Sequence, residues 1–373
     1  MFKNLQLLKI VTAPSLVDIS ATLADTTFLP CGASQEKSVG WVPPRGGEHD
    51  EYAPSVGGHT ILKLTTEVKV VPGDVLKRKV EEQVAHIQET TGRKPGKKER
   101  REIKDDARLA MLPLAFAKRS ATLVWINTKA SYIAIDASSQ SKADEAITML
   151  IKAFDGLALQ HFNTQMSPGT CMAHWLTDSE NLPEKFNIDR QCELRAFDET
   201  KARVKYANHS LDIEEIREHI AMGKMPILLS MTWNERVSFT LTEGLTLKKL
   251  AFLDLCFEDS ASKGDTADDH FDADVAIATG ELSKLVPDLL AALGGEVVNA
   301  APLTEHGAEV DDPLYQQAVD LVKKHKKASI SLVQRHLQIG YNRAARLLES
   351  MEAAGLVTPM QSNGARELVV GAC

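Results

Sequence analysis

The sequence predicts an α+β protein: a body of mixed sheets and helices with a projecting αα-hairpin, then a C-terminal winged helix-turn-helix domain. Three observations carry this expectation. Apolar residues alternate with period two over His59 to Val68 and again between Met225 and Leu253, as half-buried strands require. A highly charged helical pair between Asp74 and Phe116 is interrupted by a Pro-Gly turn. Ser329 to Val370 reads as helix, tight turn, basic helix and hairpin. With 373 residues, 43% apolar and 25% charged, the chain has material for two or more domains with substantial cores.

Residues 1 to about 70 read as a β-rich start with one helix, from Ser15 to Leu23, and an irregular Gly/Pro-dense stretch from Phe28 to Gly47. Val75, Leu76, Val80, Val84 and Ile87 form a thin helical stripe ending at Thr91-Gly92, and a second helix runs from Glu99 to Met111. Ala121 to Asp136 reads as a hairpin. Helices are expected over Lys142 to Phe154, Pro168 to Leu176 and Leu211 to Met222. Strands are expected at Cys192 to Phe197 and Arg203 to Ala207, then a three-stranded meander over Met225 to Leu253, then a strand at Phe271 to Thr279. Glu281 to Leu293 is a strongly apolar helix closed by Gly294-Gly295. The expected domains are a body over 1–299, with its finger hairpin at about 74–116, a polar linker over 300–312 and a winged helix over 313–373.

In the last domain Leu314, Ala318, Leu321 and Val322 share one face of a first helix. Ile330, Val333 and Leu337 mark the second, and Ala344, Leu347, Leu348 and Met351 the third. Gly355 ends the third helix, and Leu356-Val357 and Leu368-Val369 flank a Gln-Ser-Asn-Gly turn as the wing. Asn342, Arg343 and Arg346 fall in the first two turns of the recognition helix, where Arg suits guanine and Asn suits adenine. Lys327 and Arg335 are placed to hold phosphates, and Arg366 follows the wing turn. The competing reading is an exposed polar helix face or a protein-binding winged helix.

The net charge is −8, yet from Asp312 onward eight Lys/Arg face five Asp/Glu. That balance argues against a polycation that coats DNA at random and favours contact at defined places. The finger tip is such a place. Between Arg93 and Lys104 seven residues are basic and two acidic, including Arg93, Lys94, Lys97, Lys98, Arg100 and Arg101. Either this is a solvated tip or, given DNA binding elsewhere, a finger that contacts phosphates. The N-terminus lacks the apolar run of a signal peptide and no stretch approaches about 18 consecutive apolar residues, so a cytoplasmic, nucleoid-associated protein without membrane contact is expected. Five scattered cysteines do not suggest a disulfide framework.

Motifs that carry catalysis are sparse in the sequence. There is no GxxxxGK[ST] phosphate loop and no GxSxG elbow. Cys171 and His174 are spaced for one turn of a metal-binding helix but lack a second ligand pair. Asp272 and Asp274, on one face of the expected strand, could hold Mg²⁺, against a plain reading as exposed strand charges. The expectation is a protein without metal, cofactor or enzymatic activity.

Two resemblances sharpen this reading. DPLYQQAVDLV, KASISLVQRHLQIGYNRAARLLESMEAAGLV and the NGAREL wing, over residues 313–370, resemble the γ domain of FtsK-type DNA translocases. That likeness implies recognition of G-rich polarity sequences, with Asn342, Arg343 and Arg346 as readers, and contact with the tyrosine recombinase XerD. The first 300 residues resemble the RdgC family through Phe2-Lys3-Asn4-Leu5, Phe28-Leu-Pro-Cys31 with Gly40-Trp-Val-Pro-Pro44, and Leu112-Pro-x-Ala-Phe116. Further matches are Trp125-Ile126, Leu247-Lys-x-Leu250, and Phe271-Asp-Ala-Asp274 through Thr279-Gly-Glu-Leu282 to Ala292-Leu-Gly-Gly-Glu296. The resemblance implies a ring-shaped homodimer that encircles double-stranded DNA and limits RecA filaments. Phe116 then stands at the finger contact between subunits. Asn208-His209 stands where the family has a basic-polar pair at the other contact, with Asn208 replacing the basic residue. The expected function is regulation of site-specific recombination. The body holds DNA while the γ-like domain activates XerD of the XerC/XerD pair, an arrangement suited to a mobile element that uses a host's Xer system. The alternative is a RecA antagonist whose winged helix only directs DNA localisation.

Overall fold

The structure, a computed structural model, describes residues 2–297 apart from 13–18, 47–48, 199 and 258–265. Of the remainder it describes 314–325, 332–333, 347–348, 350–352, 354 and 356–358. The chain divides into two compact units, Met1–Val297 and Val298–Cys373.

The first unit begins with β1 (Leu5–Thr12), α1 (Ile19–Ala24), β2 (Lys37–Val42), β3 (Ser55–Val56) and β4 (His59–Val70). Next come α2 (Gly73–Thr91), α3 (Lys97–Met111), β5 (Phe116–Asn127), β6 (Tyr132–Ile135), α4 (Gln140–Ala153), β7 (Ala158–His161) and α5 (Pro168–Thr177). It ends with β8 (Phe186–Ala196), β9 (Arg203–Ala207), α6 (Glu214–Ala221), β10 (Lys224–Trp233), β11 (Val237–Thr242), β12 (Thr246–Phe252) and α7 (Ala267–Ala292). The twelve strands form one antiparallel sheet, β2-β4-β5-β6-β1-β12-β11-β10-β8-β9, with β3 added to β4 and β7 to β1.

Two cores divide the sheet. Leu62, Leu64, Val124, Ile126, Ile133 and Ile135 pack with α1 and α4 on one face. Ile61, Trp125, Tyr132 and Ala134, alternate residues of the same strands, join the core under α5, α6 and α7. Strands β4, β5 and β6 are thus covered on both faces where they pair, and Val124–Ile126 and Tyr132–Ile135 read as continuous apolar runs, while β4 keeps polar residues between its apolar ones. Beyond β1 the described helices pack on one face: Leu229, Met231, Trp233, Val237, Phe239 and Leu241 all enter the second core. The residues between them are polar, which is why the meander alternates so clearly in sequence.

Two expectations need correction. Phe271 to Thr279 is not a strand but the first part of α7. Its alternation is accidental. Thr266 caps the helix in a reciprocal box with Asp269, and Val275, Ala278, Leu282, Leu285, Val286 and Leu289 bury a helical stripe. The Phe28 to Gly47 stretch is also not wholly irregular, since it contains β2. That strand lies at a sheet edge and is closed by backbone bonds from Phe28 N–H to Trp41 and from Trp41 N–H to Thr26 (2.9 and 3.0 Å). A Cβ at Gly40 would stand 2.4 Å from Phe28 Cα, so only glycine admits this crossing strap. The first helix is described from Ile19; its expected start at Ser15 lies outside the described residues.

In the second unit α8 (Tyr315–His325) buries Ala318, Val319 and Val322 with Val333, Leu347, Leu348, Met351 and Val357. Most of these are the apolar positions that the helical spacing singled out. The expected recognition helix start and wing lie outside the described residues.

Candidate nucleic-acid interface

The antiparallel pair β4–β5 continues from Thr60↔Ile126 to Val70↔Phe116 and leads directly into α2 and α3. Pro72 precedes α2, and Gly92 ends it with φ 69°, the left-handed cap that glycine provides without strain. Only Leu76, Val84 and Ala107 are buried along the two helices. Nearly every other position is free for charge, which accounts for the thin apolar stripe.

The root of this finger is stapled. Glu67 of β4 is nearly enclosed and accepts hydrogen bonds from Arg119 of β5 and from Cys31 N–H (2.8 Å). The Arg119 bond, then that of Cys31, holds the Glu67 carboxyl below its ordinary pKa. Lys69 donates to the carbonyls of Gly32 and Ala33 (2.7 and 2.9 Å), and Arg108 of α3 pairs with Glu36. The Phe28–Glu36 strap therefore ties the last turns of the sheet to the finger.

The predicted basic residues have distinct settings. Arg93 is clasped across the tip by Glu99 through two bonds (2.8 and 3.0 Å), which lower the Glu99 pKa. Lys94, Lys97, Lys98, Arg100 and Arg101 are exposed and make no ion pair among the described residues. Lys97, Arg101, Lys104 and Arg108 recur at helical spacing and form a stripe about 16 Å long along α3. Such a stripe can track a phosphate backbone without reading bases.

Phe116 is 89% exposed and Leu114 87% exposed at the finger root, beside Val70, the register partner of Phe116. These side chains leave an exposed apolar patch at the finger root. Asn208 and His209 lie at the far end of the sheet, after edge strand β9. Asn208 adopts φ 56°, and the His209 N–H reaches Arg190 O at 3.2 Å. The structure does not bring these two positions to the finger: Phe116 is on β5, third in the strand order, and they follow β9, the last. Lys327, Arg335, Asn342, Arg343, Arg346 and Arg366 lie outside the described residues.

The catalytic candidates do not converge. Cys171 is buried while His174 is exposed. Burial raises the Cys171 thiol to about 11 and Cys192 to about 12, so both are protonated packing groups. Asp272 and Asp274 are two positions apart on a helix and so diverge rather than share a strand face. Asp272 is held bidentately by Arg45 Nη2 (3.0 Å to each oxygen). Among the described residues there is no cluster of three or more metal-ligating side chains.

Residues 1–296 match the family model described as "Putative exonuclease, RdgC". The chain belongs to the RdgC family. A recombination-associated RdgC protein of Janthinobacterium sp. (strain Marseille) is 40% identical over 298 residues, covering 79% of this chain and 98% of the relative. The namesake from Dechloromonas aromatica (strain RCB) is 40% identical over 305 residues, with 80% and 99% covered. The one from Cupriavidus pinatubonensis is 39% identical over 297 residues, with 79% and 98% covered. Nearly all of each RdgC relative is thus matched by the body. Residues 309–371 match the FtsK gamma domain. No helix among the described residues is long and apolar enough to cross a membrane.

Proposed function

We propose that this RdgC protein is a non-enzymatic DNA-holding regulator of site-specific recombination, whose gamma domain activates XerD while the body retains duplex DNA. The observation that carries the proposal is the joining of an RdgC body and an FtsK gamma domain in one chain. Holding DNA through the body raises the local concentration of the gamma domain near its site, in place of delivery by a translocase. The test uses purified XerC and XerD, a dif-type site and no FtsK. Adding the full chain should produce strand exchange initiated by XerD; its absence sinks the proposal. Arg343→Ala with Arg346→Ala should lower the preference for the cognate over random DNA by tenfold or more, since each bidentate base contact contributes roughly 1–3 kcal/mol.

The body is proposed to act as a ring-like homodimer on the DNA. Two separate contact points are what closure of two subunits needs, and this reading assigns them to the exposed Phe116 root on β5 and to the Asn208-His209 corner after the edge strand β9. Phe116→Ala is expected to weaken self-association about tenfold or more, as loss of an aromatic anchor does. Sedimentation at protein concentrations near the dissociation constant would show it, and an unchanged monomer–dimer distribution rejects the role.

A second reading is supported by the relatives, which carry the name "Recombination-associated protein RdgC" with an alignment confined to the body. On this reading the body antagonises RecA on DNA and the gamma domain directs localisation. Inhibition of RecA strand exchange, with no effect on the Xer reaction, would favour it. Mg²⁺-dependent nuclease activity lost on changing Asp272 or Asp274 would instead support the exonuclease description.

A further inference from the structure

A cleft of about 530 Å³ lies where the β10–β11 turn meets the second half of α7. That volume falls within the roughly 300–1,000 Å³ of ligand sites. Trp233 ends β10, and Asn234 and Glu235 both take positive φ (47° and 55°), the geometry of a two-residue hairpin turn. The Asn234 N–H donates to the Lys185 carbonyl at 2.8 Å, so the segment before β8 and the turn form one wall. The opposite wall is α7. There Pro287 sits inside the helix without an N–H to donate, and Lys284 stands about one turn earlier.

Charge is layered across this cleft. The carboxylates lie at its floor: the Glu281 side chain is 8% exposed and accepts from Arg236 Nε at 2.9 Å. Asp288 accepts from the Trp233 indole N–H at 2.9 Å and from the Lys185 ammonium at 2.8 and 3.0 Å. A buried indole N–H needs such an acceptor, and a carboxylate drawn inward to serve it needs a cation. The lysines stand at the rim. The Lys284 side chain is 67% exposed and reaches Glu281 at 3.5 Å, longer than an ordinary N–H···O bond. Lys185 is exposed as well. Three cations thus face two carboxylates, with the positive groups outermost. Glu184 and Glu235 are exposed but do not line the cleft.

We propose that this cleft binds an acidic peptide segment of a partner protein, whose carboxylates meet Lys284 and Lys185 at the rim. Each carboxylate accepts charge-assisted bonds from an ammonium group, and the Asn234 amide can both donate to and accept from a peptide group. Pro287 offers an apolar contact between them. Duplex DNA carries its phosphates on a cylinder too broad to enter a space that holds a few side chains. The cleft also opens beside α7, the helix under which Trp233 packs, rather than on the opposite face of the sheet. This inference does not depend on how the body holds DNA.

The test is fluorescence anisotropy of the full chain with a labelled octapeptide of alternating Asp and Gly, and with its Asn-for-Asp counterpart. Concentrations run to about 1 mM, the weak end of specific binding. The acidic peptide should bind at least tenfold more tightly than the Asn form. Lys284→Gln, at an exposed position, should keep the wild-type melting temperature and weaken binding about tenfold, as loss of one charge-assisted bond does. Lys284→Glu, which reverses the charge, should abolish binding. Both variants should retain the wild-type salt dependence for random duplex DNA. No binding of the acidic peptide up to that limit, or binding that both variants retain, overturns the inference. So does displacement of the peptide by inorganic phosphate or random duplex at equal concentration, which would make the cleft an unselective anion site.

Discussion

Changing Lys97, Lys98, Arg100 and Arg101 together to Gln is expected to weaken binding to random duplex DNA by about two orders of magnitude at low salt. The slope of log K against log salt should flatten by about 3 to 4, from about 0.9 per phosphate contact. All four side chains are exposed on α3 and make no described ion pair, so the melting temperature should not move. Arg93 is left intact because its clasp on Glu99 holds the tip together. The loss should be equal for cognate and random sequences, since phosphate contacts carry no base information. A variant that binds random DNA with wild-type salt dependence would reassign the finger to a solvated surface. Comparison with Arg343→Ala and Arg346→Ala, which should alter sequence preference more than salt dependence, separates holding from reading.

The finger was legible because its signals are local. A thin stripe, a Gly at the end of the first helix and a Pro-Gly turn before the second suffice to define a helical hairpin, and its observed bounds differ by a residue or two at most points. The Met225 to Leu253 meander was legible because the described helices pack on one sheet face, which preserves the alternation along most of β10 and β11. Phe271 to Thr279 misled for the same reason in reverse. Phe271, Ala273, Val275 and Ile277 alternate, but Thr266 and the Leu282–Leu289 stripe decide in favour of a helix, and both lie outside that window. Strand β2 was hidden by Gly40 and the prolines after it, which a strand pattern would exclude unless the Phe28 strap is known.

The site divides in the same way. Charge density picked out the tip, but not that Arg93 is spent on Glu99, because that pairing depends on how the turn folds back. The stapled root depends on contacts of Glu67 with Cys31 and Arg119, and of Lys69 with Gly32, across up to 52 positions of chain, which no local pattern encodes. In β12, where Lys249 and Leu250 together oppose Phe239 of β11 in a β-bulge, the sequence did carry a trace: in Leu247-Lys-Lys-Leu250 two leucines stand three apart in a strand, a spacing that requires an extra residue if both are to be buried. Chain periodicity is thus most informative where a strand breaks its own period.

Trp125→Ala is expected to cost about 3 to 5 kcal/mol of stability, the range for emptying a large buried aromatic site. For a body of this size that corresponds to a fall in melting temperature on the order of 10 °C. Trp125 is fully buried on β5, edge-on to Tyr132 and His59 with centroids 5.3 Å away in each case. Its indole N–H donates to His59 Nδ1 at 3.2 Å, so that nitrogen must keep its lone pair and the ring must be neutral. Burial, and then the charge of Lys129, holds the His59 pKa below its ordinary value. The unfolded chain therefore takes up this proton first as pH falls below about 6.5, and stability declines on the acid side while remaining level above it. Trp125→Phe keeps most of the ring and should lose less stability than alanine. Trp125→Ala admits water to His59, lets its pKa rise and should make the acid-side decline shallower. Calorimetry from neutral to mildly acid pH distinguishes the two effects. Since Trp125 and the finger root share β5, a large loss of melting temperature with an unchanged DNA salt slope at low temperature would show that the core supports the finger without setting its charge chemistry. A melting temperature unchanged by Trp125→Ala would refute the packing account.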